Sequence, residues 1–282
     1  MHFDFHFTAV SILWTLTFAA LLVVLIVLMG RDRIRRFPWF TTSLVIIALR
    51  LLTARLLQGK LPPINMATIS ITLADVLGLV GLLVIVEMAR RAFSKASRGA
   101  WTGWGLVLLA IGGVVLWKWG PWPNWKTVAF DTTIAKLQVM QMLAVKTSLL
   151  MHVLAILLGI LVVAFGARYG AGWHSHVQRI MIGLSTASIS QLGTQGVFEM
   201  IVRHTTIDSR AKYEHLTNLQ EKFLNGNSVV YILVLIWWIV CLWIDEPGAP
   251  SAAAATDVAD AAPGPSAANT APAATAEDCG DA

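Results

Sequence analysis

Long apolar runs broken by short polar stretches dominate the chain from residue 8 to residue 245. An α-helix rises about 1.5 Å per residue, so about 20 residues cross a hydrocarbon core about 30 Å thick. Runs of that length occur at 8–30, 39–58, 67–89, 101–119, 138–165, 179–202 and 227–245. They are too long for barrel strands and lack strict alternation. The pattern predicts an all-α, polytopic membrane protein with seven transmembrane helices.

The polar punctuation orients the predicted bundle. The link after the first run, "RDRIRRFP", carries four arginines, and the link after the third, "RRAFSKASR", carries four basic residues. Both fall on one side, which the positive-inside rule makes cytoplasmic, so the N-terminus is expected outside and the C-terminus inside. Arg168 and Arg179 join that side, whereas Lys60, Lys118, Lys126, Lys136, Arg203, Arg210, Lys212 and Lys222 face outward. Tryptophans at 117, 119, 122 and 125 mark an outer turn, where their amphipathic rings suit an interface. The first run is too long for a signal-peptide core and lacks a basic residue ahead of it, so it is expected to remain as a helix.

Composition agrees with this picture. Apolar residues make up 56% of the 282 positions and charged residues 13%, with mean hydropathy +0.68. The segment after Glu246 is different, an Ala/Pro/Ser/Thr stretch that cannot bury enough apolar surface to fold. It holds five acids and no base, so the +5 of the whole chain becomes +10 without it. The expected organisation is therefore a bundle over 1–246 and a disordered, acidic cytoplasmic tail over 247–282. The basic residues cluster at span ends, which argues for membrane orientation and against nucleic-acid binding. Cys241 and Cys279 lie far apart in unlike surroundings, and no disulfide framework follows.

Between spans six and seven, Ile207, Ala211, Leu216, Leu219 and Phe223 fall at near-helical intervals. Either an interfacial helix or a solvated amphipathic connector satisfies that spacing.

Charged groups inside the spans are the main clues to function, since each costs about 2.5–3.5 kcal/mol near the bilayer centre on insertion scales. Arg50 and Asp75 lie about eight residues from the outer ends of adjacent antiparallel spans, about 12 Å deep, and are expected to pair. Such a pair either locks the two helices or belongs to a site. Arg55 is close enough to the outer interface to snorkel. Glu87 sits three and four residues before Arg90 and Arg91, the spacing of a local salt bridge.

Span six carries a stripe of Gly183, Ala187, Gln191, Gln195 and Glu199 at every fourth position, small at one end and polar at the other. It fits tight helix packing or a wet cavity open to the outside. Span five adds Lys146 and, on another face, Gln141, Ser148 and His152 at i, i+7 and i+11. Because that segment exceeds what a bilayer needs, Lys146 lies either at the interface or in one outer-half layer with Arg50 and Asp75.

Chemistry-bearing motifs are sparse. His2, Asp4 and His6 in "HFDFHF", and His174 and His176 in "WHSH", are too few and too flexible to define a metal site. A b-type haem would need a second membrane histidine matching His152, and none stands at that depth. P-loop, dinucleotide and zinc-protease signatures are missing, as is a readable nucleophile with its base, so no cofactor and no catalysis are indicated.

The blocks "RRFPWFTTSLVIIALRLL" and "ADVLGLVGLLVIVEMARRAF" resemble a family of seven-helix integral membrane proteins common in acidobacterial genomes. The matching positions are Phe37, Pro38, Phe40, Arg50, Asp75, Glu87, Arg90 and Arg91, with Asp75 standing where the family pattern has Glu. The resemblance covers the first third of the chain and implies a bacterial inner-membrane protein without implying an activity. Two other seven-helix comparisons fit less well. The last span has no Schiff-base lysine for retinal. A three-plus-one-plus-three transporter arrangement matches the topology, but helices one to three and five to seven show no repeat and no Pro-Gln motif.

The sequence therefore leads to a sensory or accessory membrane protein that binds a small ligand or a partner helix at an outer-half polar site. Arg50, Asp75, Lys146, Gln191, Gln195 and Glu199 are the candidate binding residues. The alternatives are a small-solute transporter using the same cavity, or a structural subunit of a larger membrane complex.

Overall fold

The computed structural model describes residues 9–57, 59–94, 98–119, 122, 133–169, 175–205 and 210–244. Seven helices account for nearly all of them: α1 (Ala9–Gly30), α2 (Pro38–Leu57), α3 (Pro63–Ala92), α4 (Arg98–Lys118), α5 (Thr133–Tyr169), α6 (His176–His204) and α7 (Arg210–Trp243). No strand occurs among the described residues. The acidic stretch 247–282, the "HFDFHF" segment, His174, Trp125 and Ile207 lie outside them.

Five helices, α1, α2, α3, α5 and α7, are long and apolar enough to cross a membrane. Their outward faces are as greasy as their inward ones: Leu22, Ile26, Leu79, Ile160, Val163 and Leu233 are all exposed. Water would not tolerate such a surface, but a bilayer offers no penalty for it. The described part of α4 is a shorter apolar helix, and α6 falls outside the group because of its polar stripe.

Local chemistry sets the helix ends. Gly59 turns the chain between α2 and α3 with φ +76, a left-handed conformation that glycine adopts without strain. Pro63 then opens α3, where its missing N–H costs nothing. At α6, the Ser175 side chain accepts from the Val177 N–H and caps the first turn.

The helices close into a ring. α1 packs on α2, α2 on α3, α3 on α5, α5 on α6, α6 on α7 and α7 on α1, while α3 also touches α6 across the middle. α4 stands outside and packs on α5. The ends of α1, α3, α5 and α7 and the starts of α2, α4 and α6 define one end of the bundle, here called the basic end. Most of the close-packed core lies there, built from Leu21, Leu28, Phe37, Phe40, Met88, Leu158, Ile180, Met181, Leu235 and Leu242.

Two buried ionic groups fasten that end. Arg33, one of the four link arginines, is only 7% exposed and donates through Nη1 to the Leu242 carbonyl and through Nη2 to the Ile244 carbonyl at 3.4 Å. Its Nη1 also lies 3.5 Å from His176 Nδ1, so one guanidinium ties the α1–α2 link to α6 and to the closing turn of α7. The carbonyls it receives are those a helix end leaves unpaired, and the charge sits at the negative pole of the helix. Glu87 of α3 is the counterpart. Its Oε2 accepts from the Phe40 N–H at 3.1 Å and its Oε1 from Arg91 Nη2 at 3.4 Å, which caps the start of α2 with a carboxylate.

The far end differs from the hydropathy pattern. α5 has 37 residues and α7 has 34, and at about 1.5 Å per residue both exceed the hydrocarbon core by a wide margin. The connector expected over 203–225 is, from Arg210 onward, a continuation of α7. Its apolar spacing holds in part: Leu216 is buried and Leu219 and Phe223 are partly buried, while Ala211 is exposed.

Candidate functional site

Toward the far end the ring is hollow. A cavity of about 590 Å³ lies between α2, α3, α5, α6 and α7. Each helix presents one stripe to it, at the three- and four-residue spacing that puts side chains on a single face. From α2 come Phe40, Ser43, Leu44, Ile47 and Arg50; from α3, Ser70, Ile71, Ala74, Gly78, Gly81 and Ile85. α5 gives Gln141, Ser148 and His152, α6 gives Ala187, Ser188, Gln191 and Gln195, and α7 gives Asn227, Tyr231 and Trp238. Trp119, just past α4, reaches the same space.

The polar groups are not scattered. Asn227 Nδ2 donates to Gln191 Oε1 at 2.6 Å, and Ser190 Oγ donates to Asn227 Oδ1 at 2.8 Å. This couples α6 to α7 at the far-end half of the cavity. Further down, His152 Nδ1 lies 3.1 Å from Ser188 Oγ, which couples α5 to α6. The Tyr231 hydroxyl oxygen is buried and has no hydrogen-bond partner among the described residues. The floor is apolar, closed by Trp238, whose ring meets Phe40 edge-on at 5.0 Å between centroids.

Close backbone approach at the helix crossings shapes these walls. A Cβ on Gly183 would collide with the Trp238 indole, one on Gly81 with the Met151 side chain and one on Gly159 with Ser185. These glycines thus let the helices approach closely at their crossings, Gly81 on the cavity wall itself, and the amides further along α6 are cavity lining.

The sequence candidates divide accordingly. Arg50, Gln191 and Gln195 lie on the cavity wall. Asp75 does not. It forms no ion pair with Arg50, and one of its carboxylate oxygens, Oδ1, is buried without a partner among the described residues. α3 begins at Pro63, four residues before the hydropathy suggests, so Asp75 lies about 18 Å along its helix while Arg50 is about 10 Å from the end of α2. Asp75 is also about 100° around the helix from cavity-lining Ala74.

Lys146, left open between the interface and an outer-half layer, is buried but not on the cavity wall. Its Nζ donates to the carbonyls of Trp119 at 2.5 Å and Leu116 at 3.3 Å, and lies 4.6 Å from the Trp122 ring centroid. It neutralises the closing turn of α4, the helix end that favours a cation. Glu199 pairs with Arg203 at 2.5 Å and lines a separate groove with Lys118, Arg203 and His204. A spacing of four residues drifts about 40° per step, so Glu199 has rotated about 80° away from Gln191.

No family model matches the chain, and no curated protein or solved structure matches it.

Gln141, Ser148 and His152, which the spacing sets on one face of span five, line the cavity as well, whereas the lining residues of α7 were missed because the last span reads as plain apolar. Asn227, Tyr231 and Trp238 stand at i, i+4 and i+11, a helical face that the polar tips of the first two could have betrayed. Ser188 precedes Gln191 by three residues and lay one column beside the stripe already noted. Among the described residues, no three His, Cys, Asp or Glu side chains gather to hold a metal ion.

Proposed function

We propose that the chain is a bacterial inner-membrane protein that crosses the bilayer with all seven helices, N-terminus outside and C-terminus cytoplasmic, and acts as a sensory or accessory protein binding a small ligand in the interhelical cavity. One observation carries this reading: a hollow of ligand size whose wall holds the exposed Arg50 side chain and the buried Tyr231 hydroxyl, the latter without a hydrogen-bond partner among the described residues. Polar groups that served packing alone would be paired, as Asn227, Gln191, Ser190, His152 and Ser188 are. Small-molecule sites are typically concave and mostly apolar with a few converging polar groups, and this cavity has that character.

The test is to purify the chain in lipid nanodiscs and identify co-purifying small molecules by mass spectrometry, alongside Ala187→Phe, which fills the cavity from α6. A molecule present in the parent and lost from the variant is the expected result. Identical small-molecule content in both would sink the reading. Orientation is checked separately in a cysteine-free background: an impermeant thiol reagent should label Gly59→Cys in intact cells and spare Arg35→Cys.

A second reading, a small-solute transporter, has its own support in the ring. α1, α2 and α3 form one row, α5, α6 and α7 another, and the two meet through α1 with α7 and α3 with α5. Two three-helix halves around a central cavity, with α4 outside, are the kind of arrangement that can rock between two openings. Solute flux into proteoliposomes, reduced by Arg50→Ala, favours this reading over the first.

A further inference from the structure

We propose that the ligand is a single-chain organic anion, a carboxylate with an unbranched hydrocarbon tail, whose head sits on Arg50 and whose tail runs down to Phe40 and Trp238. This rests on the cavity being a ligand site and adds the chemistry of its occupant.

The cavity is polarised along its length. Arg50, Gln195, Gln191 and Asn227 surround the far-end half, while the basic-end half is walled by side chains such as Leu44, Val84, Ile85 and Leu184 and floored by Phe40 and Trp238. From Phe40 to Arg50 is ten residues of helix, about 15 Å. A ligand matching both ends is polar at one and apolar over most of its length.

The sign of the head follows from the protein's own charges. The described acids near the bundle are committed elsewhere or out of reach: Glu87 caps α2 at the opposite end, Glu199 holds Arg203 in another groove, and Asp75 does not pair with Arg50. Arg50 therefore brings a charge to the cavity wall that no acid of this group neutralises. A guanidinium placed within a bilayer favours a carboxylate partner, and its planar fork matches that group two-pronged. The amides of Gln191 and Gln195 add donors beside it. The tail is single because α3 and α6 touch across the ring and narrow its interior.

The probes are decanoate, whose extended length is close to that depth, and decanol, which keeps the tail and loses the charge. Saturable binding of each radiolabelled probe is measured on the full chain in phosphatidylcholine nanodiscs at neutral pH. The parent should bind decanoate at least about ten-fold more tightly than decanol, the scale of one charge-assisted hydrogen bond. Arg50→Gln should erase that preference by weakening decanoate binding at least about ten-fold, and Arg50→Lys should retain most of it. Monodisperse elution and an unaltered melting temperature confirm that the variants are folded, and Gln195→Leu gives a second, uncharged route to a weakened head site should Arg50→Gln fail to fold. Equal affinity for the two probes, or a preference that survives Arg50→Gln, overturns the anion assignment. If decanoate and decanol bind with equal affinity and Ala187→Phe abolishes both, the cavity is still a ligand site and only the head chemistry is wrong. If neither probe binds, the proposal falls, and the co-purification experiment decides separately whether the site itself stands.

Discussion

Glu87, near the end of α3, accepts a hydrogen bond from the backbone N–H of Phe40, in the first turn of α2, at 3.1 Å. Around it, Arg91 bonds Glu87 and also lies 5.0 Å over the Phe37 ring, which is buried beside the turn that Pro38 opens. Phe37, Pro38, Phe40, Glu87 and Arg91 are thus one unit that fixes where two helices meet. What these five residues encode is a helix cap.

A consequence is that Glu87→Leu should lower stability by about 1.5–3 kcal/mol, the range for a hydrogen bond to a charged group left unmade. Glu87→Gln, which keeps an acceptor, should recover part of the loss. Unfolding of the purified chain in mixed micelles measures both, and an unshifted transition in Glu87→Leu would contradict the capping role.

Glycine substitutions should separate crossing points from open faces. Gly183→Ala places a methyl against the Trp238 indole, and overpacking of that kind typically costs about 1–3 kcal/mol. Because Trp238 is the cavity floor, the same variant should also weaken any cavity ligand. Gly193, on the same helix, has nothing within 4 Å of the position a Cβ would take, so Gly193→Ala should be neutral or slightly stabilising. Parallel melting curves check the pair; equal losses would show that α6 does not cross α7 at Gly183.

How much of this was legible in the sequence depends on what each signal reports. Hydropathy reports apolar stretches, so each of the seven helices was readable, but α3, α5 and above all α7 run past those stretches because hydrogen-bonded backbone continues into polar sequence. The four-residue stripe of α6 correctly marked an inward face over Ala187, Gln191 and Gln195, and failed at Glu199 through helical drift. Lys146 and Arg33 were illegible for a different reason. Each binds the carbonyls at the end of another helix, an acceptor that every sequence possesses and none displays. Ring closure between α1 and α7, and the exclusion of α4, likewise depend on which lipid-like faces meet, and such faces look alike in sequence.

Asp75 and Arg50 should behave as independent residues. Breaking a buried ion pair by removing one partner costs about 3–5 kcal/mol, whereas Asp75 has no such pair to lose. Asp75→Leu should therefore be neutral or stabilising. Combined with Arg50→Leu, its effect should add to within about 0.5 kcal/mol, as expected of sites that share no contact. A larger coupling in the double-mutant cycle would restore the pair that the helix offset argues against.

The four arginines of the α1–α2 link should prove unequal, although the positive-inside rule counts them alike. Arg33 is buried and holds the Leu242 and Ile244 carbonyls beside His176, so Arg33→Met removes charge-assisted bonds from the closing turn of α7 and should cost about 1.5–3 kcal/mol or more. Arg35 is exposed, and Arg35→Gln should stay within about 0.5 kcal/mol of the parent. The kinetic signature is more specific than the stability change. Losing the clamp frees the end of α7 first, so hydrogen exchange over the last turns of α7, around Cys241 and Leu242, should rise well before exchange in α3 or α5 does. Uniform acceleration across the bundle would mean that Arg33 supports global packing and does not act as a local clamp on α7.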